Sequence, residues 1–218
     1  MKKIIALMMA FMPMLGMAQS NVWEVPDEDK QDVEKPKPVK VEKTDDPKYL
    51  AGAVPVVDGK VVFTLDKDVP GMSADSIYAK TYKVIEGIVK ETKADDLEPA
   101  SRIAAVNKAE HTVAAVMKEW LVFSSNFISL DRTEFDYVLI AQATDGHIKV
   151  TMERLNYAYE MNRGSSALKT KAEDWITDKY ALNKKGTRLT KGSGKFRKKT
   201  IDRKDNIFGR ISKALGIQ

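Results

Sequence analysis

The chain has no cysteine in its 218 residues. That absence excludes disulfides, thiolate metal sites and cysteine nucleophiles. It also excludes the lipid anchor that bacterial lipoproteins carry on a cysteine beside their cleavage site. Histidine is nearly as scarce. His111 and His147 have neither H-x-H nor H-x-x-x-H spacing, so they supply no converging ligand set, and each reads as a surface histidine beside a turn. No apolar run reaches the ~20 residues needed to cross a bilayer as a helix. No G-x-S-x-G elbow is present, and Gly192-Ser193-Gly194 has no accompanying His or Asp pattern.

The first 18 residues read as a signal peptide. Lys2 and Lys3 form a positive n-region, Ile4 to Leu15 a short apolar h-region, and Gly16-Met17-Ala18 offers small residues at the positions signal peptidase reads. The expectation is an exported chain, periplasmic or secreted, that is not a lipoprotein. Residues 19–48 are rich in Pro, Asp, Glu and Lys and read as a disordered linker. Residues 49–217 then form a single folded domain, and with 43% apolar residues the chain can build one good core.

Charge is unevenly spread. The formal net is +5, yet residues 184–218 carry 12 basic and 2 acidic residues, against a net of −3 over 20–48 and −4 over 49–183. Such asymmetry invites an anionic partner. The stretch KGSGKFRKKTIDRK, Lys191 to Lys204, is its centre. A phosphate loop needs G-x-x-x-x-G-K-[ST] between a strand and a helix, so that successive N–H groups converge on the phosphate. Counting from Gly186, the second glycine falls on Lys191, and Gly194-Lys195 is followed by Phe196, so the motif fails. The remaining anion-binding candidates are Lys191, Lys195, Arg197, Lys198, Lys199 and Arg203. With Phe196 as the one aromatic among these cations, nucleic acid is a poor partner. The run reads as an exposed connection, Gly192 to Lys199, with weak solvated basic charge ahead of a final helix capped at Thr200 or Asp202.

Periodicity sets out the rest. Val61, Phe63 and Leu65 alternate as a strand after the Asp58-Gly59 turn. Ser73 caps a helix with Asp75 in its first turn and Ile77, Thr81, Val84, Ile85, Ile88 and Val89 on its apolar face. Strands are expected over Ser101–Asn107, His111–Ser124, Glu134–Ala143 and His147–Tyr159. Asp145-Gly146 marks a hairpin, and a phase slip at Glu153-Arg154 marks a bulge. A second helix is expected from Ser165 or Ser166 to Leu182, and a last one carrying Ile207, Phe208, Ile211 and Leu215. The order β-α-β-β-β-β-α-α gives an α+β domain: one antiparallel sheet of about five strands with helices on one face.

VVDGKVVF (Val56 to Phe63) and WITDKYALNKKGTRLTKGSGKFRKKTID (Trp175 to Asp202) resemble bacterial exported proteins grouped as domain of unknown function 4468, which have a TBP-like fold. The likeness covers roughly Tyr49 to Leu215. It implies that fold; it brings no activity, so no functional residue is carried over, and the fold's name does not imply DNA binding.

Other chemistry has little footing. Asp95, Asp96 and Glu98 on a loop, and Glu134 and Asp136 on a strand, form no distinctive pair of facing carboxylates. Phe135 and Trp175 read as core. Trp120, Tyr157 and Tyr159 are candidates for a groove between sheet and helices, since tyrosine hydroxyls need partners and favour a rim. The composition supports a non-enzymatic binding or protein-interaction module with no cofactor and no metal. Its partner would be an envelope protein or an anionic envelope component. The competing classes are a weak binder of anionic envelope surface through the basic C-terminal region, and a hydrolase with an unrecognised site.

Overall fold

The computed structural model describes residues 44–125, 130–161 and 164–217. The expected signal peptide, and the linker as far as residue 43, lie outside the described residues.

Two short strands, β1 (Val56–Val57) and β2 (Lys60–Val61), close a hairpin at Asp58-Gly59, where both residues take positive φ. β3 (Phe63–Asp68) follows, then helix α1 (Ala74–Thr92), whose Ser73 side chain accepts from the Ser76 N–H as an N-cap. Four strands come next: β4 (Arg102–Asn107), β5 (Thr112–Ser125), β6 (Leu130–Thr144) and β7 (His147–Tyr159). After them come β8 (Leu168–Lys171), the single-turn α2 (Asp178–Ala181) and α3 (Ser193–Leu215).

The sheet is antiparallel, ordered β3-β7-β6-β5-β4, with β8 continuing beside β7. It has six strands, one more than expected. Cross-strand partners share a face, so the register sorts the side chains. Val113, Ala115, Met117, Phe135, Tyr137, Leu139, Val150 and Met152 point to the helix side and are buried. They pack under α1 residues Ile77, Ile85 and Ile88 and α3 residues Phe196, Ile207 and Ile211. The expected bulge is present: pairing of β6 with β7 shifts between Asp136 and Val138, and Arg154 takes φ 57°.

Two expectations fail. The second helix is replaced by a turn, β8, another turn and α2. Leu168, Ala172 and Ile176 are spaced for a helix, but Leu168 to Lys171 instead pairs with Asn156–Tyr159, where β7 has a free edge. The last helix also starts at Ser193, a full two turns early. Thr200 and Asp202 lie within it, not at its start. Thr200 is buried and bonded to the Tyr157 hydroxyl at 2.7 Å, and Asp202 accepts from the Tyr49 hydroxyl at 2.6 Å.

The folded unit also reaches further back than Tyr49. Asp45 donates its N–H to the Thr187 carbonyl and accepts from the Leu189 N–H, and Lys48 pairs with Asp202 at 2.8 Å.

Candidate functional site

The basic run is built into the fold. Ser193, at the start of α3, donates to the Tyr180 carbonyl at 2.6 Å and meets the Thr190 hydroxyl at 2.8 Å. Gly194 faces Leu189 so closely that a Cβ there would come within 2.8 Å of the Leu189 Cβ. The glycine therefore serves a close helix–loop approach. Phe196 is the hub of an aromatic cluster, with ring centroids 4.6 Å from Phe123, 5.3 Å from Tyr157, 5.5 Å from Tyr159 and 5.8 Å from Trp175.

Three of the six anion-binding candidates face inward. Arg197 is completely buried. Its Nε donates to the Tyr49 carbonyl at 2.6 Å and its Nη1 to the Ile176 carbonyl at 2.8 Å; its Nη2 bonds the Leu50 carbonyl and pairs with Asp178. Arg203 reaches into the core, where Glu119 accepts from its Nε at 2.8 Å and from the Tyr137 hydroxyl at 2.7 Å. Burial opposes the Arg203 charge, but the Tyr137 and Glu119 oxygens outweigh it and hold its pKa above the usual value. Lys195 donates to Asp131 at 2.7 Å and to the Tyr159 hydroxyl at 3.1 Å. Burial pulls its pKa down, yet these two partners raise it overall. Lys191 and Lys198 are exposed and Lys199 half-buried. The run read as an exposed loop is a helix because its lysines and arginines are good helix formers, and Phe196, Arg197, Thr200 and Ile201 extend the apolar stripe backward from Ile207.

Register separates the groove candidates. Trp120 opposes Glu134, which opposes Ala158, so these three share one face and Tyr157 takes the other. Tyr157 is core, not rim, and its hydroxyl is satisfied by Thr200. Trp120 and Tyr159 do both border a depression of about 440 Å³ at the strand ends.

The face of the sheet away from the helices is more informative. Its middle is an apolar strip: Ala114 beside Ile140, and Val116 beside Val138, all half-buried. Below the strip Lys118 pairs with Glu134 at 2.9 Å and lies 3.9 Å from Asp136. Burial raises the Asp136 pKa despite the nearby ammonium. Beyond them the Arg132 guanidinium stacks 3.7 Å over the Trp120 ring, and Asp95 accepts from the Trp120 N–H at 2.8 Å. Three depressions run across this side. One of about 510 Å³ lies at the bulge, between Val57, Val62, Leu155 and Arg154. One of about 360 Å³ lies at Lys118, Asp136 and Lys169. The third is the one at Trp120. Neighbours share Asn156 and Lys171, then Glu134 and Ala158, so the three adjoin in a row that forms a shallow, interrupted groove. Exposed Val56 and Val57 stand at one end, and exposed Leu130 and Met161 at the other.

Among the described residues no cluster of three or more His, Asp or Glu side chains is arranged to hold a metal, and no helix is long and apolar enough to cross a membrane. The alternation of Lys118, Trp120 and Val122 was the signal for this face in the sequence. The bulge-side end, from Val57 to Lys171, had none, because it joins a hairpin to a strand 90 residues away in the chain.

Residues 63–158 match the family described as "Domain of unknown function (DUF4468) with TBP-like fold". Among solved structures, the chain is similar to a DUF4468 family protein from Bacteroides ovatus ATCC 8483. Identity is 43% and the TM-score 0.72, over 81% of this chain and 98% of that one. It shares its fold with a TBP-like protein from Parabacteroides distasonis ATCC 8503, at 20% identity and TM-score 0.60, over 75% of this chain and 97% of that one. No curated protein matches it.

Proposed function

This chain belongs to the DUF4468 family, with its TBP-like fold, and from that premise we propose that it is an exported, non-catalytic interaction module that receives a partner polypeptide on the open face of its sheet. The observation that carries the reading is the row of depressions across that face, charged in the middle, with exposed apolar side chains at both ends and the half-buried strip of Ala114, Val116, Val138 and Ile140 beside it. Apolar side chains set among polar groups on an open face favour a protein partner. The charges along the groove support the same reading. Lys118, Lys169 and Lys171 lie among Glu134 and Asp136, so both signs are present and they fix orientation without a strong pull on one sign of ligand. The large polar side chains inside the domain are engaged in holding its elements together: Arg197 with three carbonyls, Glu119 with Arg203 and Tyr137. Export is supported by the n-region, h-region and Gly16-Met17-Ala18 site of residues 1–18.

The test is a photo-crosslinking residue placed at Val138 on the open face, and at Lys83 on the solvent side of α1, in the native cell. A discrete adduct from Val138 alone supports the reading. Adducts of equal yield from both positions, or from neither, reject it. Mass spectrometry of the mature protein reads the export step; a chain beginning at Gln19 is the expected product.

A further inference from the structure

A second surface, on the sheet's edge, has a different geometry. β4 is the last strand in the order, and it pairs with β5 on one side. Among the described residues none hydrogen-bonds to its other side. An edge strand turns the N–H and C=O of alternate residues outward, a template for another strand. Every β4 residue except Ile103 is exposed, Val106 at 51%. Val106 opposes Val113, so its side chain lies on the helix-covered face. There, between β4 and α1, runs a groove of about 390 Å³ lined by Tyr78, Ala79, Tyr82, Val106 and Lys108. The Tyr78 ring is braced by Tyr82 at 6.1 Å and by the edge of His111 at 6.0 Å, and His111 is held by Asp75 at 2.8 Å.

We infer that the β4 edge and the α1 groove together form a strand-addition site for an extended peptide segment of a partner, with an apolar side chain facing the groove and an acidic residue toward Arg102. The backbone edge selects an extended chain, and the groove beside it selects alternate side chains. Pairing with β5 shifts between Ile103 and Ala105, so the regular ladder is offered along Ala105 to Asn107, next to the groove. Charge sets the flanks. The strand is uncharged from Ile103 to Asn107, with exposed Arg102 before it and exposed Lys108 after it. Of the nearby carboxylates, Asp75 is bonded to His111, Glu86 to Lys90 and Asp95 to the Trp120 N–H, while Glu110 in the turn offsets Lys108 in part and exposed Asp96 and Glu98, just before β4, offset Arg102 in part. The acid preference is therefore modest, and Arg102 sets it. The same charges disfavour a second copy of this chain. Antiparallel self-pairing centred on Ala105 sets Arg102 of one copy against Lys108 of the other at both ends, cation against cation.

The experiment uses the full mature chain and a probe peptide of about seven residues, alternating valine and threonine, with phenylalanine at its centre and a glutamate at each end. Amide and tyrosine-ring NMR shifts are followed during titration. Expected are shifts confined to Ala105–Asn107, Tyr78 and Tyr82. Affinity should fall about tenfold or more for the Val106→Pro variant and for a peptide N-methylated on its pairing edge. It should fall several-fold, in a salt-dependent way, when lysine replaces both glutamates. Tyr82→Ser, with its fold checked by circular dichroism, should weaken binding without touching the edge. Four outcomes each overturn the inference: no shift at millimolar peptide, shifts centred on the open face, undiminished binding of the N-methylated peptide, or self-association of the protein through β4. None of them rejects the open-face reading, which concerns other residues, and shifts centred on the open face would favour it.

Discussion

The Arg197 guanidinium, with no exposed side-chain surface, sits 2.8 Å from the carboxylate of Asp178, which is 44% exposed. One buried cation thus ties together α3, the start of α2 through Ile176 and Asp178, and the N-terminal arm through the Tyr49 and Leu50 carbonyls. Replacing Arg197 with methionine fills the volume but leaves three carbonyls without their donor. A loss of about 3 to 5 kcal/mol in urea denaturation is expected, the scale found when a buried ionic network loses one partner. Arg197→Lys should recover little of it, because an ammonium cannot reproduce the planar fork. A loss below about 1 kcal/mol would show that water replaces the guanidinium.

Gly194 offers a second test of how the basic run is used. An added Cβ would meet the Leu189 Cβ at 2.8 Å and the Leu189 carbonyl carbon at 3.3 Å, so backbone must shift to admit it. Gly194→Ala should therefore destabilise the domain by about 1 to 3 kcal/mol, as overpacking does, although alanine is the better helix former. The control is Gly209→Ala, where a Cβ meets nothing within 4 Å. That change should be neutral or stabilising. Equal responses at the two sites would contradict the close packing of α3 on the Leu189 loop.

What was legible in the sequence follows from how local each signal is. The bounds of β7 were readable because Asp145-Gly146 opens the strand and alternation carries it to Tyr159; even the Arg154 bulge left a slip in phase. The Ser73 cap was readable for the same reason. β8 was not. Leu168 to Lys171 is four residues with helix-compatible spacing, and only the free edge of β7 makes it a strand. The start of α3 was hidden because its lysines resemble a solvated loop. Arg197 finds two of its three carbonyl partners, Tyr49 and Leu50, 148 and 147 residues earlier in the chain, beyond the reach of any pattern. On the site, a groove between sheet and helices was expected for Trp120, Tyr157 and Tyr159 alike; only the register with Glu134 and Ala158 shows that Trp120 lies on the open face and Tyr157 on the other.

Two tyrosines should make the fold sensitive to alkali. Burial is the main cause that raises the Tyr137 and Tyr157 hydroxyls well above the ordinary value near 10; the Glu119 charge adds to it at Tyr137, while the Thr200 bond partly opposes it at Tyr157. Both groups keep their protons in the folded chain after the unfolded chain has released them. Their contribution is complete below about pH 10 and falls above it by about 1.4 kcal/mol per pH unit for each tyrosine. Stability measured by urea at pH 9 to 11.5 should show this slope, and Tyr157→Phe should remove one tyrosine's share of it. Absorbance titration of the folded protein should leave these two rings un-ionised until unfolding. Early ionisation of all the tyrosines would contradict their enclosure.

His147 should work in the opposite part of the pH scale. It opens β7 directly opposite Asp68 on β3, its Nδ1 3.0 Å from Asp68 and its Nε2 2.9 Å from Asp66. The bond to Asp68 is the main cause that raises its pKa, opposed by desolvation and reinforced by the two carboxylate charges. The charged imidazolium thus bridges two aspartates of an edge strand and pins β3 to the sheet. Because the folded pKa lies above the unfolded one, this stabilisation is complete below the ordinary histidine value of about 6.5. It is lost as pH rises through the raised folded value. The site is exposed, so the effect should shrink in salt. Proton NMR should find His147 titrating above His147 in the Asp68→Asn variant, and hydrogen exchange of β3 amides should quicken as pH passes that point, beyond the intrinsic increase, in wild type but not in the variant. If the two proteins titrate alike, the Asp68 bond does not form in solution and His147 reaches β3 through Asp66 alone.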